Sequence, residues 1–142
     1  MIELIKFLGS LTFINLSLCS KLTNSTFFNL TRNCPSPSVI NMEITNLGVE
    51  EFPTEIVVNP RAKSLYLAWN NSLNDECIKM AAYVCPNLEA LDFTYCSGIT
   101  EEGILAILKS CSQIRCLEIN RCEGVKNFEI DLELPKLEVL QA

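Results

Sequence analysis

The sequence predicts an α/β fold built by repetition, in which short strands stack in parallel into one curved sheet and helices line its outer side. Three observations predict it: a motif that returns at a nearly constant step, an apolar alternation of two within each copy, and a helical spacing of apolar residues after it. The motif is clearest from Cys85 to Thr100, where apolar residues stand at Leu88, Leu91, Phe93, Cys96 and Ile99. A step of 26 forward reaches Ile114, Leu117, Ile119, Cys122 and Val125, and the same step back reaches Ala62, Leu65, Leu67, Asn70 and Leu73. A further 25 back gives Pro37, Ile40, Met42 and Thr45, where the register blurs, and another 26 gives Leu11, Ile14, Leu16 and Cys19. Pro135-Lys136-Leu137-Glu138-Val139-Leu140 opens a sixth copy that is not finished. Self-similarity at such a period marks an architecture whose units bury their apolar faces against one another.

Each part of the copy has a physical task. Leu91-Asp92-Phe93 reads as a strand whose alternation sends two apolar side chains inward and leaves the residue between them on the open face. The position held by Cys19, Thr45, Asn70, Cys96 and Cys122 turns the chain inward, where a small side chain reaches backbone groups that the turn leaves unpaired. Thr100-Glu101-Glu102-Gly103 then offers a Thr N-cap and acidic residues for the first helical turn, followed by apolar residues at helical spacing. Leu73 to Ala82 repeats that arrangement around Asp75-Glu76. The copies fall at about 8–33, 34–58, 59–84, 85–110 and 111–134, with a partial one at 135–142, and together make residues 1–142 a single domain. Three departures stand out: Pro37 replaces a core Leu, Asn59-Pro60 replaces Cys-Pro, and Val125 to Leu132 lacks the helix signature and is expected to be irregular or extended.

With the Cys34-Pro35 and Cys85-Pro86 openings, the Leu-x-Leu-x-x-Cys strand and Ile99-Thr100-Glu101-Glu102-Gly103, nearly the whole chain resembles the cysteine-containing leucine-rich repeats of F-box/LRR proteins, especially the plant members. The resemblance implies a leucine-rich-repeat solenoid with a curved parallel sheet on the concave side and helices on the convex side. It also implies a protein-binding module that recognises substrates for an SCF-type E3 ubiquitin ligase in ubiquitin-dependent degradation, inside the cell, in cytoplasm or nucleus. No F-box-like segment precedes the first repeat, so the chain is expected to be a fragment, and an SCF adaptor is a partner only where the full-length protein supplies an F-box. A structural or secreted repeat scaffold, like extracellular plant receptors, is the alternative.

Composition narrows the function. There is no histidine, which removes the usual general base and metal ligand. A net charge of −6 argues against nucleic acid or an acidic membrane as partner. The apolar start contains Ile5, Phe7, Leu8, Leu11 and Phe13, but Glu3 and the match to later repeats make it a repeat in preference to a signal peptide. Of the eight cysteines, Cys19, Cys96 and Cys122 share one repeat position and Cys34, Cys85 and Cys111 another, so they read as small buried residues and not as disulfide or zinc pairs. Sequons at Asn15, Asn24, Asn29 and Asn70 are the sign in favour of secretion. Glu101-Glu102 and Asp75-Glu76 sit at helix starts, where negative charge meets the positive end of the dipole. No enzyme, cofactor or metal is expected.

Binding is expected on the open face, where stacking aligns columns of side chains. One runs Asn15, Asn41, Tyr66, Asp92, Glu118, Gln141; the next Ser17, Glu43, Ala68, Thr94, Asn120; a third Leu18, Ile44, Trp69, Tyr95, Arg121. Tyr66, Trp69, Asp92, Tyr95, Glu118 and Arg121 are the candidate protein-binding residues, because exposed Tyr, Trp and Arg dominate interfaces. Tyr95 also has a plain reading, as the aromatic filler common before the cysteine of such repeats. With neither end of the stack capped, Leu137 and Leu140 are expected to face water.

Overall fold

The structure, a computed structural model, describes residues 10–48 and 52–125 and the strand at 138–140. Six short strands, β1 (Phe13–Asn15), β2 (Val39–Asn41), β3 (Ser64–Tyr66), β4 (Ala90–Asp92), β5 (Cys116–Glu118) and β6 (Glu138–Leu140), form one sheet in chain order. Every pairing is parallel, and Ile14, Ile40, Leu65, Leu91, Leu117 and Val139 are successive partners. From β1 to β5 that is the register of the sequence repeat; at β6 the expected register is off by one residue, since Leu140, and not Gln141, stands opposite Glu118, and Val139 opposite Leu117. Parallel neighbours need a crossover between them, and among the described residues three crossovers carry a helix: α1 (Asn24–Asn33), α2 (Asp75–Val84) and α3 (Glu101–Ser110). The arrangement is α/β and compatible with a leucine-rich-repeat fold.

The core lies between sheet and helices. Leu65, Leu67, Phe93, Leu117 and Ile119 from the strands and their exits meet Ile78, Ile104 and Ile107 from α2 and α3, all almost fully buried. Pro37 takes its core position and is buried. Asn74 caps α2 by accepting from the Cys77 amide at 3.0 Å, and Asp75 and Glu76 follow in the first turn. The Thr100 cap is different from expectation. Its side chain makes no capping bond; its amide and hydroxyl both donate to the Asp75 carboxylate, at 2.8 and 2.5 Å, so the first turn of α2 holds the start of α3. Gly103 permits this closeness, since a Cβ there would run into the Asp75 carboxylate.

Cys34, Cys85 and Cys111 are the C-cap residues of the three helices. Cys111 Sγ faces the Ala82 and Cys85 carbonyls at 3.7 Å each. Asn59 fills the same place: its Nδ2 donates to the Thr31 and Cys34 carbonyls at 3.3 and 3.4 Å, and it is buried. The Asn-Pro departure therefore keeps the contact and changes only the donor.

Two further expectations need correction. No helix forms in the described part of the crossover from β2 to β3, residues 46–48 and 52–58. Gly48 at φ +97° leaves helical geometry, and Pro53 lacks the amide that a helix would use. Phe52 and Ile56 pack against the core instead, with Phe52 edge-to-face on Phe28 at 6.2 Å. Cys19, read as a small buried residue, is exposed, because among the described residues no strand stacks outside β1 to cover its turn. The expected irregular segment beyond Val125, the side chains of Leu137 and Leu140, Gln141 and the apolar start up to Gly9 lie outside the described residues.

Candidate protein-binding face

After each of the strands β1 to β5 the chain turns through one residue in the left-handed region: Leu18 (φ 67°), Ile44 (52°), Trp69 (63°), Tyr95 (59°) and Arg121 (59°). A residue with a Cβ is disfavoured there by about 1 to 2 kcal/mol, so the surroundings must impose it. They do so across the sheet. The amides of Leu18, Ile44, Trp69 and Tyr95 donate to the carbonyls of Glu43, Ala68, Thr94 and Asn120 in the following copy, at 2.8 to 3.0 Å. The next residue grips the copy before. Asn70 Nδ2 donates to the Met42 carbonyl at 2.9 Å, Cys96 Sγ to that of Leu67 at 3.3 Å, and Cys122 Sγ to that of Phe93 at 2.9 Å. Asn70 Oδ1 in turn accepts from the Leu47 amide and the Thr45 hydroxyl.

The consequence is a row of side chains held at the exits of neighbouring strands. Leu18 (70% exposed), Ile44 (44%), Trp69 (48%) and Tyr95 (39%) form its apolar part, and Arg121 continues it, exposed. Trp69 and Tyr95 stack with ring centroids 3.8 Å apart and planes 14° from parallel. The stack fixes two large rings without further loss of side-chain freedom when something covers them.

Tyr66, Asp92 and Glu118 stand in register on β3, β4 and β5. The structure thus brings all six candidate residues onto three neighbouring rungs, but in unequal states. Tyr66 and Glu118 are half-buried, and Asp92 is only 9% exposed. Asp92 Oδ1 accepts the Thr94 amide at 2.8 Å, as Asn15 Oδ1 accepts that of Ser17 and Asn41 Oδ1 that of Glu43, both at 2.9 Å. Below it, Thr94 Oγ1 is buried and has no hydrogen-bond partner among the described residues. Sequence reasoning placed the columns but missed the left-handed turns, because the residue types that usually mark them, Gly, Asn and Asp, are absent from all five positions.

Charges elsewhere are spent locally. Glu89 lies between Arg115 (2.6 Å) and Lys63 (3.5 Å), and its hydrogen bond from Arg115 holds its carboxyl below the usual range. Lys79 bridges Glu76 and Glu102 on the helix side at 3.3 and 3.4 Å, which raises its pKa, the hydrogen bond to Glu76 first. Burial pushes the thiols of Cys85 and Cys96 up to about 12 and that of Cys111 to about 11, so they are poor nucleophiles at neutral pH. A small open pocket of about 20 Å³ lined by Asn24, Phe27, Phe28, Phe52, Leu73 and Ala81 is mainly apolar. Of the four sequons, Asn15 and Asn29 are exposed, whereas Asn24 and Asn70 are buried, Asn24 accepting the Gly48 amide at 2.8 Å. Among the described residues no helix is long and apolar enough to cross a membrane.

Registered parallel rungs with an exposed row at their exits define a class of repeat-like α/β protein whose surface, and not an enclosed pocket, is the prominent feature. No protein-family model matches the chain. It is similar to the F-box protein MAX2 homolog A of Petunia hybrida, at 23% identity over 123 residues, which cover 78% of this chain and 17% of that protein. The chain spans about a sixth of that relative's length.

Proposed function

We propose that residues 1–142 form one leucine-rich-repeat solenoid, with copies at about 8–33, 34–58, 59–84, 85–110, 111–134 and a partial one at 135–142, which binds a partner protein on its concave sheet face. In the full-length protein this module serves substrate recognition for an SCF-type ubiquitin ligase, with the adaptor joined through an F-box elsewhere in the chain. The observation that carries the reading is the stacked Trp69–Tyr95 pair in an exposed apolar row. Large rings exposed side by side are the anchors from which interfaces draw most of their energy. Similarity to an F-box protein supports the ligase context. Buried, unpaired thiols and the burial of two sequon asparagines favour an intracellular setting over the secreted scaffold.

The test is a pull-down from native tissue with the full-length protein, its Trp69→Ala, Tyr95→Ala double variant and a Lys79→Glu, Lys109→Glu variant, each checked for folding by circular dichroism. Partners lost only with the double variant support the concave face. Partners kept by it and lost with the lysine changes place binding on the helices.

A further inference from the structure

Resting on that reading, we propose that the partner segment crossing the open face carries an arginine or lysine whose cationic group lies over Asp92, while its apolar part packs on the Trp69–Tyr95 stack. Asp92 has a task in the fold. One carboxylate oxygen accepts the Thr94 amide. Asn15 and Asn41 do the same work at the equivalent places of their own copies, with an uncharged amide oxygen. Where this column supplies an acceptor to the turn, the acceptor needs no charge.

The charge is a burden where it stands. Asp92 is nine-tenths buried, and among the described residues it has no ion pair. A carboxylate withdrawn from water without a cation is penalised. Glu118 faces it in register on β5, and like charges directly opposite on neighbouring strands repel. The described cations nearby do not answer this need: Lys63 and Arg115 are engaged by Glu89 at the opposite ends of their strands, and Arg121 at the exit of β5 makes no ion pair with Asp92. Asn at this place would keep the acceptor without the charge. A basic group arriving from outside would balance the Asp92 carboxylate, and beside it the row from Ile44 to Tyr95 offers apolar surface. A long Lys or Arg stem joins these two environments in one side chain.

The probe is a random peptide library displayed on phage and selected on the folded chain, with enriched peptides then measured against Asp92→Asn and against the Trp69→Ala, Tyr95→Ala double variant. Asp92→Asn keeps the acceptor for Thr94 and should melt no lower than the parent. Enriched peptides should combine a basic residue with large apolar ones, lose about tenfold or more in affinity to Asp92→Asn, as for a close charge pair, and lose their salt dependence with it. Enriched peptides that lack basic residues, or that bind Asp92→Asn as well as the parent, overturn the charge assignment; if the double variant still loses them, the concave-face reading stands. Peptides held equally by the double variant overturn both. A selection that enriches nothing on the folded chain also counts against the proposal.

Discussion

Asn70 shows what the turn position asks of a side chain. Its amide donates to the Met42 and Leu67 carbonyls at 2.9 Å, and its oxygen accepts from Leu47 and Thr45, so four groups from two copies depend on it. Asn70→Ala would strand buried backbone groups, at about 1 to 3 kcal/mol for each one left unsatisfied, and is expected to destabilise by roughly 2 to 4 kcal/mol in urea unfolding. Asn70→Cys should cost less, because Cys96 and Cys122 reach the equivalent carbonyls. At this scale the repeat exposed the turn column, since a small polar or thiol residue every 25 or 26 positions is visible without coordinates. What the sequence could not show is the state of each face residue. Asp92 and Glu118 occupy equivalent repeat positions, yet one is buried and the other half-buried, which depends on the neighbouring rungs and on no local pattern.

For the elements, strand register was legible from β1 to β5 and one residue off at β6, where Leu140 takes the place expected of Gln141, and helix placement was legible only in part. The period-2 apolar pair fixes which side chains enter the core, and a slip of one residue would turn every one of them outward. Leu91, 3% exposed between Leu65 and Leu117, is the central rung. Leu91→Ala is expected to cost about 2 to 5 kcal/mol, measured as a lowered melting midpoint with the same unfolded baseline. An unchanged melt would remove this register. That the described part of the crossover between β2 and β3 carries no helix was harder to foresee, because its apolar content resembles that of the others. Gly48 and Pro53 are the local reasons, and the Phe28–Phe52 contact supplies the burial that a helix would otherwise give. Exposed pairs such as Arg32–Glu55 add little to this.

Across the whole molecule, the stacked cysteines tie stability to alkaline pH. Desolvation raises the thiols of Cys85 and Cys96 from 9.0 to about 12 and that of Cys111 to about 11, so the fold disfavours their thiolates. The unfolded chain releases these protons near pH 9; stability from the buried thiols is therefore complete below that pH and is lost as pH rises towards 11 to 12. The melting midpoint should be flat from neutral pH to about 8.5 and fall above 9, and the fall should be shallower in Cys96→Thr, a residue already used at position 45. A midpoint that climbs through this range would contradict the burial of the thiols. The proposed binding role also belongs to this scale, since the exposed row exists only because successive copies align their turns. Site-specific photocrosslinking in native tissue tests it most directly, with a benzophenone amino acid placed at Trp69 in one version of the full-length protein and at Lys109 in another. The concave-face account predicts a discrete partner adduct from position 69 and none from position 109; adducts from 109 alone would contradict it.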